Sequence, residues 1–231
     1  MLFEDRHAMR KENKEKTRIM IIDDHPLVRY GITQLINAEN DLIVCCEAGD
    51  YDEAMEKLGA AKPDLAIVDL SLKDINGIEL IKDMKIRYPS IHVLVLSMHD
   101  ESFYACRAIR GGARGYVMKQ DGTEILIKAI RSVLAGQMFV SYEIALKLID
   151  RSSGQASSFE EDIAETLSDR ELQIFEFIGK GFKTKDIARI LNLSIKTIET
   201  YRSNIKSKLN ISDASELLKQ AILWSNSLGS K

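Results

Sequence analysis

The chain has 231 residues, 45% hydrophobic and 29% charged, enough for two globular cores and unlike a disordered or low-complexity polymer. Its 32 Lys plus Arg against 35 Asp plus Glu leave a net charge of -3, which excludes a protein that coats nucleic acid over its whole surface. No apolar run can span a bilayer, the opening stretch lacks the hydrophobic core of a signal peptide, and the three cysteines form no CxxC pair. A reduced, cytoplasmic protein with no membrane partner is expected, with Cys45 and Cys46 pointing to opposite faces of a strand.

Residues 1 to 17 are dense in charge and read as a loosely attached extension. From 18 to 138 short apolar runs alternate with amphipathic stretches. Strands are predicted at 18 to 22, 42 to 46, 65 to 68, 92 to 97 and 114 to 118, and helices at 26 to 38, 51 to 59, 76 to 87, 101 to 110 and 122 to 135. Five strand-then-helix repeats predict a doubly wound α/β domain with a five-stranded parallel sheet of flavodoxin-like type. After Gly136 the regularity fades. Residues 139 to 162 read as a linker, with a small, polar stretch at 151 to 158. From 163 to 231 only helices are predicted, at 169 to 179, 184 to 191, 195 to 209 and 213 to 226, and Ser168 with Glu171 forms a capping box.

Asp23 and Asp24 end the first apolar run and Asp69 ends the third, so the topology would bring three carboxylates to one sheet edge. Mutual repulsion there raises their pKa values, and a hard cation such as Mg²⁺ relieves it. Ser97 and Lys119 end two further strands. Together these residues supply what phosphoryl transfer to a carboxylate requires: a nucleophile, a metal, a fixed cation and a hydroxyl donor.

The intervals of 45 residues from Asp24 to Asp69, 28 on to Ser97 and 22 on to Lys119 are similar to those of the receiver domain of bacterial two-component response regulators. The loop Leu70-Ser-Leu-Lys-Asp-Ile-Asn-Gly77 resembles that family's loop after its acceptor. The resemblance implies that Asp69 takes a phosphoryl group from a sensor histidine kinase. It further implies that Asp24, Asp69 and the Ser71 carbonyl hold Mg²⁺, with Asp23 acting through a metal-bound water. Lys119 would pair with the phosphoryl group, Ser97 would swing toward it, and Tyr116 matches the switch aromatic. His99, two residues past Ser97, would influence the lifetime of the acyl phosphate. Gln120 departs from the proline that often follows the lysine.

Between Lys180 and Lys208 eight basic residues face two acids, a local stripe in a net-acidic chain. Ser194 can cap a helix whose apolar side is Ile195, Ile198, Ile205 and Leu209. Its other side carries Lys196, Thr200, Ser203 and Ser207, flanked by Glu199, Arg202 and Lys206, a face suited to a major groove. Residues 167 to 226 resemble the LuxR-type helix-turn-helix through Leu167-Ser-Asp-Arg-Glu171, Gly181, Asp186-Ile-Ala188, Ser194 and Lys196-Thr-Ile-Glu199. Receiver plus this reader is the arrangement of NarL/FixJ-type regulators.

Carried over, Glu199, Thr200 and Ser203 would lie nearest base edges of double-stranded promoter DNA. Lys196, Thr197, Arg202 and Lys206 would reach phosphates, and Lys183 is counted with them from the same stripe. Lys183-Thr-Lys185 and Tyr201 depart from the common pattern. The apolar stripe of Leu217, Leu218, Ile222 and Trp224 belongs either to a core or to a homodimer contact in the active form. The expected function is a phosphorylation-controlled transcription regulator, not an enzyme beyond its own phosphoryl transfer and slow dephosphorylation. Two alternatives use the same residues: a Mg²⁺-dependent phosphohydrolase acting through Asp69, and a constitutive DNA-binding protein whose receiver-like domain only mediates contacts. Ser71 stands where haloacid-dehalogenase-like phosphatases carry an acid, which counts against turnover.

Overall fold

The computed structural model describes residues 16–72, 76–99, 101–152, 163–164 and 166–228. Residues 1–15 of the extension, 73–75 of the loop after Asp69 and 153–162 of the connector lie outside the described residues.

Five strands, β1 (Thr17–Ile22), β2 (Leu42–Ala48), β3 (Leu65–Val68), β4 (His92–Ser97) and β5 (Gly115–Met118), alternate with five helices. These are α1 (Pro26–Asn37), α2 (Tyr51–Ala61), α3 (Gly77–Arg87), α4 (Glu101–Gly111) and α5 (Thr123–Leu134). The strands form one parallel sheet in the order β2-β1-β3-β4-β5. Leu65 to Val68 and Ile19 to Ile22 are wholly buried because helices cover both faces, the reason they read as unbroken apolar runs. One face is sealed by α1 and α5 through Ile32, Ile36, Leu126 and Ile130, the other by α2, α3 and α4 through Leu58, Ile81 and Tyr104.

β2 runs two residues past its predicted end and is irregular. Val44 pairs with Ile19 but Cys46 with Met20, so Cys45 is the extra residue of a β-bulge. The expectation that the two thiols face opposite ways is therefore corrected, and their Sγ atoms stand 3.8 Å apart. Burial, with the neighbouring thiol, pushes the Cys46 thiol up to about 12. A second difference lies in the predicted linker, where Tyr142–Ser152 forms a helix, α6, resting on α4. Just before it, Phe139 makes an isolated parallel bridge to Gly115 at the outer edge of β5.

The C-terminal unit has the four expected helices, α7 (Asp169–Gly179), α8 (Thr184–Ile190), α9 (Ile195–Lys208) and α10 (Ala214–Leu228). The capping box forms, Ser168 accepting from the Glu171 amide and Glu171 from the Ser168 amide. Lys208 at the end of α9 donates to Glu171 Oε2 at 2.6 Å, tying the last turn of α9 to the first turn of α7. Phe175, Ile178, Leu217, Ala221 and Trp224 form a core continuous with Phe103, Tyr104 and Cys106 of α4, so the two units share an apolar cluster where they meet. Trp224 packs against Phe103 with the rings tilted at 54° and their centroids 4.7 Å apart.

Gly77 is among the glycines that this packing requires. A Cβ at Gly77, the first residue of α3, would lie 2.3 Å from the carbonyl oxygen of Asp69 and 2.8 Å from Leu70 Cα, both backbone atoms. Gly77→Ala is expected to destabilise the receiver-like unit by about 1–3 kcal/mol, the usual range for overpacking, measured by urea denaturation; an unchanged midpoint would show that the α3 start gives way without cost.

Candidate functional site

The parallel register sets the acids. Ile22 pairs with Val68, and the chain leaving each strand continues the ladder for one bond, Asp23 N–H to Ala48 O and Asp69 N–H to Ile22 O. Asp23 and Asp69 therefore emerge side by side at the carboxyl edge, each only 2% exposed. Asp24 lies beside them, half-buried. One ligand atom each from Asp23, Asp24, His25 and Asp69 falls within a 4.8 Å group.

Burial is the largest influence on the Asp24 carboxyl and raises its pKa; His25 opposes it, and the Asp23 and Asp69 carboxylates add to the rise. Asp24 Oδ1 is buried without a hydrogen-bond partner among the described residues. His25 Nδ1 stands 2.6 Å from it, close but not in hydrogen-bond geometry. An orphaned carboxylate oxygen beside two more carboxylates is a donor set that suits a hard divalent cation.

Lys119 follows β5, anchored by its amide to Ser97 O, and reaches over the end of β4. Its Nζ lies 2.5 Å from Asp69 Oδ2 and 2.6 Å from Asp23 Oδ2. Burial pulls the Lys119 pKa down, but the Asp69 and Asp23 carboxylates together raise it above the ordinary lysine value. The other Asp69 oxygen accepts from the Ser71 amide at 3.2 Å. Ser97 is fully buried and its Oγ accepts the His99 amide at 3.2 Å. Tyr116 is buried, and its hydroxyl donates to the His99 carbonyl at 2.8 Å. Four sequence-predicted residues, Asp23, Asp69, Lys119 and Asp24, thus share one site, with Ser97 and Tyr116 joined to its rim through His99.

In the C-terminal unit Ser194 caps α9, accepting from the Thr197 amide at 3.0 Å, while its hydroxyl pairs with that of Thr197. Ile198 and Ile205 face the core. Lys183, Lys196, Glu199, Thr200 and Ser203 are exposed, and Thr197, Arg202 and Lys206 are half-buried along the flank. The Thr200 hydroxyl donates back to the Lys196 carbonyl, leaving oxygen lone pairs outward. Leu217 and Trp224 turn inward, whereas Leu218, Ile222 and Leu223 form an exposed apolar strip on α10.

Sequence reasoning missed the residues of the seam. Asp169 and Glu176, each 5% exposed, look like outer-face acids of an amphipathic helix. In the structure Asp169 meets Arg107 of α4 and Lys82 of α3, and Arg107 also donates to the carbonyls of Ala164 and Leu167. Glu176 Oε2 lies 3.2 Å from His99 Nδ1 and accepts from the Tyr104 hydroxyl at 2.9 Å, while Lys180 donates to Oε1. Burial would raise the Glu176 pKa, but the His99 contact and Lys180 hold it down at about 2. Only a signal of pairing between distant segments, such as an unpaired Arg107 on an otherwise apolar helix face, could have pointed to them.

Two family models match the chain: residues 19–131 fit the response regulator receiver domain and residues 165–221 the bacterial regulatory proteins of the luxR family. Oxygen regulatory protein NreC of Staphylococcus epidermidis is 34% identical over 210 residues, spanning 89% of this chain and 96% of that protein. NreC of Staphylococcus aureus is likewise 34% identical over 209 residues, with the same coverage. Among solved structures, the RcsB response regulator of Salmonella typhimurium aligns with a TM-score of 0.62 at 27% identity, over 94% of this chain and 98% of that one. RcsB of Salmonella enterica serovar Typhimurium bound to promoter rprA, with the phosphomimetic BeF3-, aligns with a TM-score of 0.60 at 27% identity, over 94% and 100%.

Replacing Lys119 by Met leaves Asp23 and Asp69 buried side by side with no ammonium between them. In metal-free buffer at neutral pH the expected loss of folding stability is about 3–5 kcal/mol, the cost of breaking a buried pair, read from urea denaturation. Stability equal to the parent would mean that solvent neutralises the acids.

Proposed function

The chain belongs to the two-component response regulators that join a receiver to a LuxR-type DNA-binding domain, and on that premise we propose that Asp69 is its phosphoacceptor. The observation that carries this is Lys119 Nζ held against both Asp69 and Asp23 at the carboxyl edge of the sheet. We divide the chain into an extension at 1–17, the receiver at 18–138, a linker region at 139–162 that contains α6, and the DNA-binding domain at 163–231.

One Asp69 carboxylate oxygen attacks the phosphorus of a phosphohistidine on a sensor histidine kinase. The O–P bond forms as the P–N bond breaks, and the electron pair leaves with the histidine nitrogen. Asp24, Asp69, the Ser71 carbonyl and Asp23 would hold Mg²⁺. When bound, the ion supplies positive charge to the phosphoryl oxygens. Lys119 exchanges part of its contact with Asp69 for one to the phosphoryl group. Ser97, whose oxygen now accepts the His99 amide, still has its hydroxyl proton to donate to a phosphoryl oxygen. Tyr116 follows the 97–99 turn through its bond to the His99 carbonyl. Slow hydrolysis of the acyl phosphate resets the switch.

The exposed face of α9 is the DNA reader, with Glu199, Thr200 and Ser203 toward base edges. Lys183, Lys196, Thr197, Arg202 and Lys206 lie toward phosphates, which supply affinity more than specificity. RcsB is described as forming dimers on DNA, and the exposed strip Leu218, Ile222 and Leu223 supports a homodimer of the active form here. A DNA target and a kinase donor support a cytoplasmic location.

Acetyl phosphate with Mg²⁺ is expected to add one phosphoryl group per chain by intact mass, and none to Asp69→Asn; sustained phosphate release from varied esters would instead support a phosphohydrolase. Lys196→Ala is expected to weaken binding to all DNA duplexes alike and to reduce the slope of log K against log salt by about 1; an unchanged slope in a salt titration would remove Lys196 from the phosphate contacts.

A further inference from the structure

The seam between the two domains covers α7 and Trp224 and leaves Lys196, Glu199, Thr200 and Ser203 exposed. Docking therefore does not bury the DNA-reading face. What it does reach is the phosphoacceptor loop.

Glu176 on α7 contacts His99 Nδ1, and on the far side of the same ring His99 Nε2 stands 3.0 Å from Ser71 Oγ. The Ser71 amide in turn donates to Asp69 Oδ1. A short relay of polar contacts thus runs from the carboxylate of the DNA-binding domain to the acceptor carboxylate. His99 is also fixed through its backbone, its amide on Ser97 Oγ and its carbonyl under the Tyr116 hydroxyl. Its ring lies 4.5 Å from that of Tyr104, whose hydroxyl donates to the same Glu176 oxygen. Of the side chains that brace His99, only Glu176 comes from the other domain among the described residues.

We propose that Glu176 is a positioning residue for the receiver chemistry: it holds His99, and with it Ser71 and the 97–99 turn, in the arrangement of the unphosphorylated site. The inference rests on Asp69 being the phosphoacceptor. A phosphoryl group that draws Ser97 Oγ toward it pulls on the His99 amide held by the same oxygen, and so strains the contact that Glu176 makes with the His99 ring. Docking and phosphorylation consequently oppose each other. Thermodynamic reciprocity requires that whatever phosphorylation does to loosen the seam, loosening the seam does to favour phosphorylation.

The chain carries its own reporter, since its one tryptophan, Trp224, packs against Phe103 of the receiver across the seam. In the full chain, Glu176→Gln is expected to shift Trp224 fluorescence toward the signal that Mg²⁺ and BeF3- produce in the parent. It is also expected to raise the initial rate of labelling by acetyl phosphate about 5-fold or more, the low end of ordinary coupling. In a His99→Gln background the same substitution should add nothing to the labelling rate, because the relay is already cut. Should Glu176→Gln not fold, Asp169→Asn opens the seam from the Arg107 side and is expected to raise the rate likewise.

A fluorescence shift with an unchanged labelling rate would show that Glu176 only docks the domains and would overturn the proposal. An equal rate increase with and without His99 would overturn the relay. If the parent itself is not labelled while remaining folded, the assignment of Asp69 falls, an outcome distinct from either.

Discussion

A single ammonium group, that of Lys119, makes the sheet edge tenable. Parallel pairing of β1 with β3 drives Asp23 and Asp69 into adjacent buried positions, and two carboxylates so placed repel strongly in a medium of low dielectric. Lys119 arrives from β5, on the far side of β4, and its long stem is what lets one cation touch both. Its contact with Asp69 is also the one that a phosphoryl group would alter. Under the role proposed for Asp69, stability and function draw on the same few atoms.

The same logic recurs at the seam. Asp169 and Glu176 are carboxylates taken out of water, and each is matched by donors from the receiver: Arg107 and Lys82 for one, His99 and Tyr104 for the other. Such pairs contribute little net stability against apolar packing, yet breaking one partner is costly. A seam assembled this way is specific in register without being permanent. The apolar contact of Trp224 with Phe103 adds affinity, whereas the polar contacts fix the position of the 97–99 turn in the docked arrangement.

Within the DNA-binding domain the capping box has a second use. Glu171 closes the first turn of α7 and also receives Lys208, which locks the far end of α9 and so sets the direction its exposed face presents. Ser194 closes the near end. The exposed face of α9 is thereby held at both ends, by the buried Glu171 and by the Ser194 cap, while its central residues remain exposed.

The amino-acid order by itself determined the five strand-then-helix repeats, the all-helical C-terminal unit, the acids at 23, 24 and 69 with Ser97 and Lys119, and the basic face of α9. Each rests on local physics: apolar period, capping chemistry, and the fact that a strand's last residue sits at a sheet edge. Tertiary structure alone decided the bulge that turned Cys45 toward Cys46, the folding of 142–152 as a helix on α4, and the burial of Tyr116. It also decided the burial of Asp169 and Glu176, which in sequence are ordinary helix acids. Their side-chain partners in the receiver lie between 62 and 87 residues away for Asp169 and 72 to 77 away for Glu176, and no local pattern encodes which distant side chain will remove a charge from water.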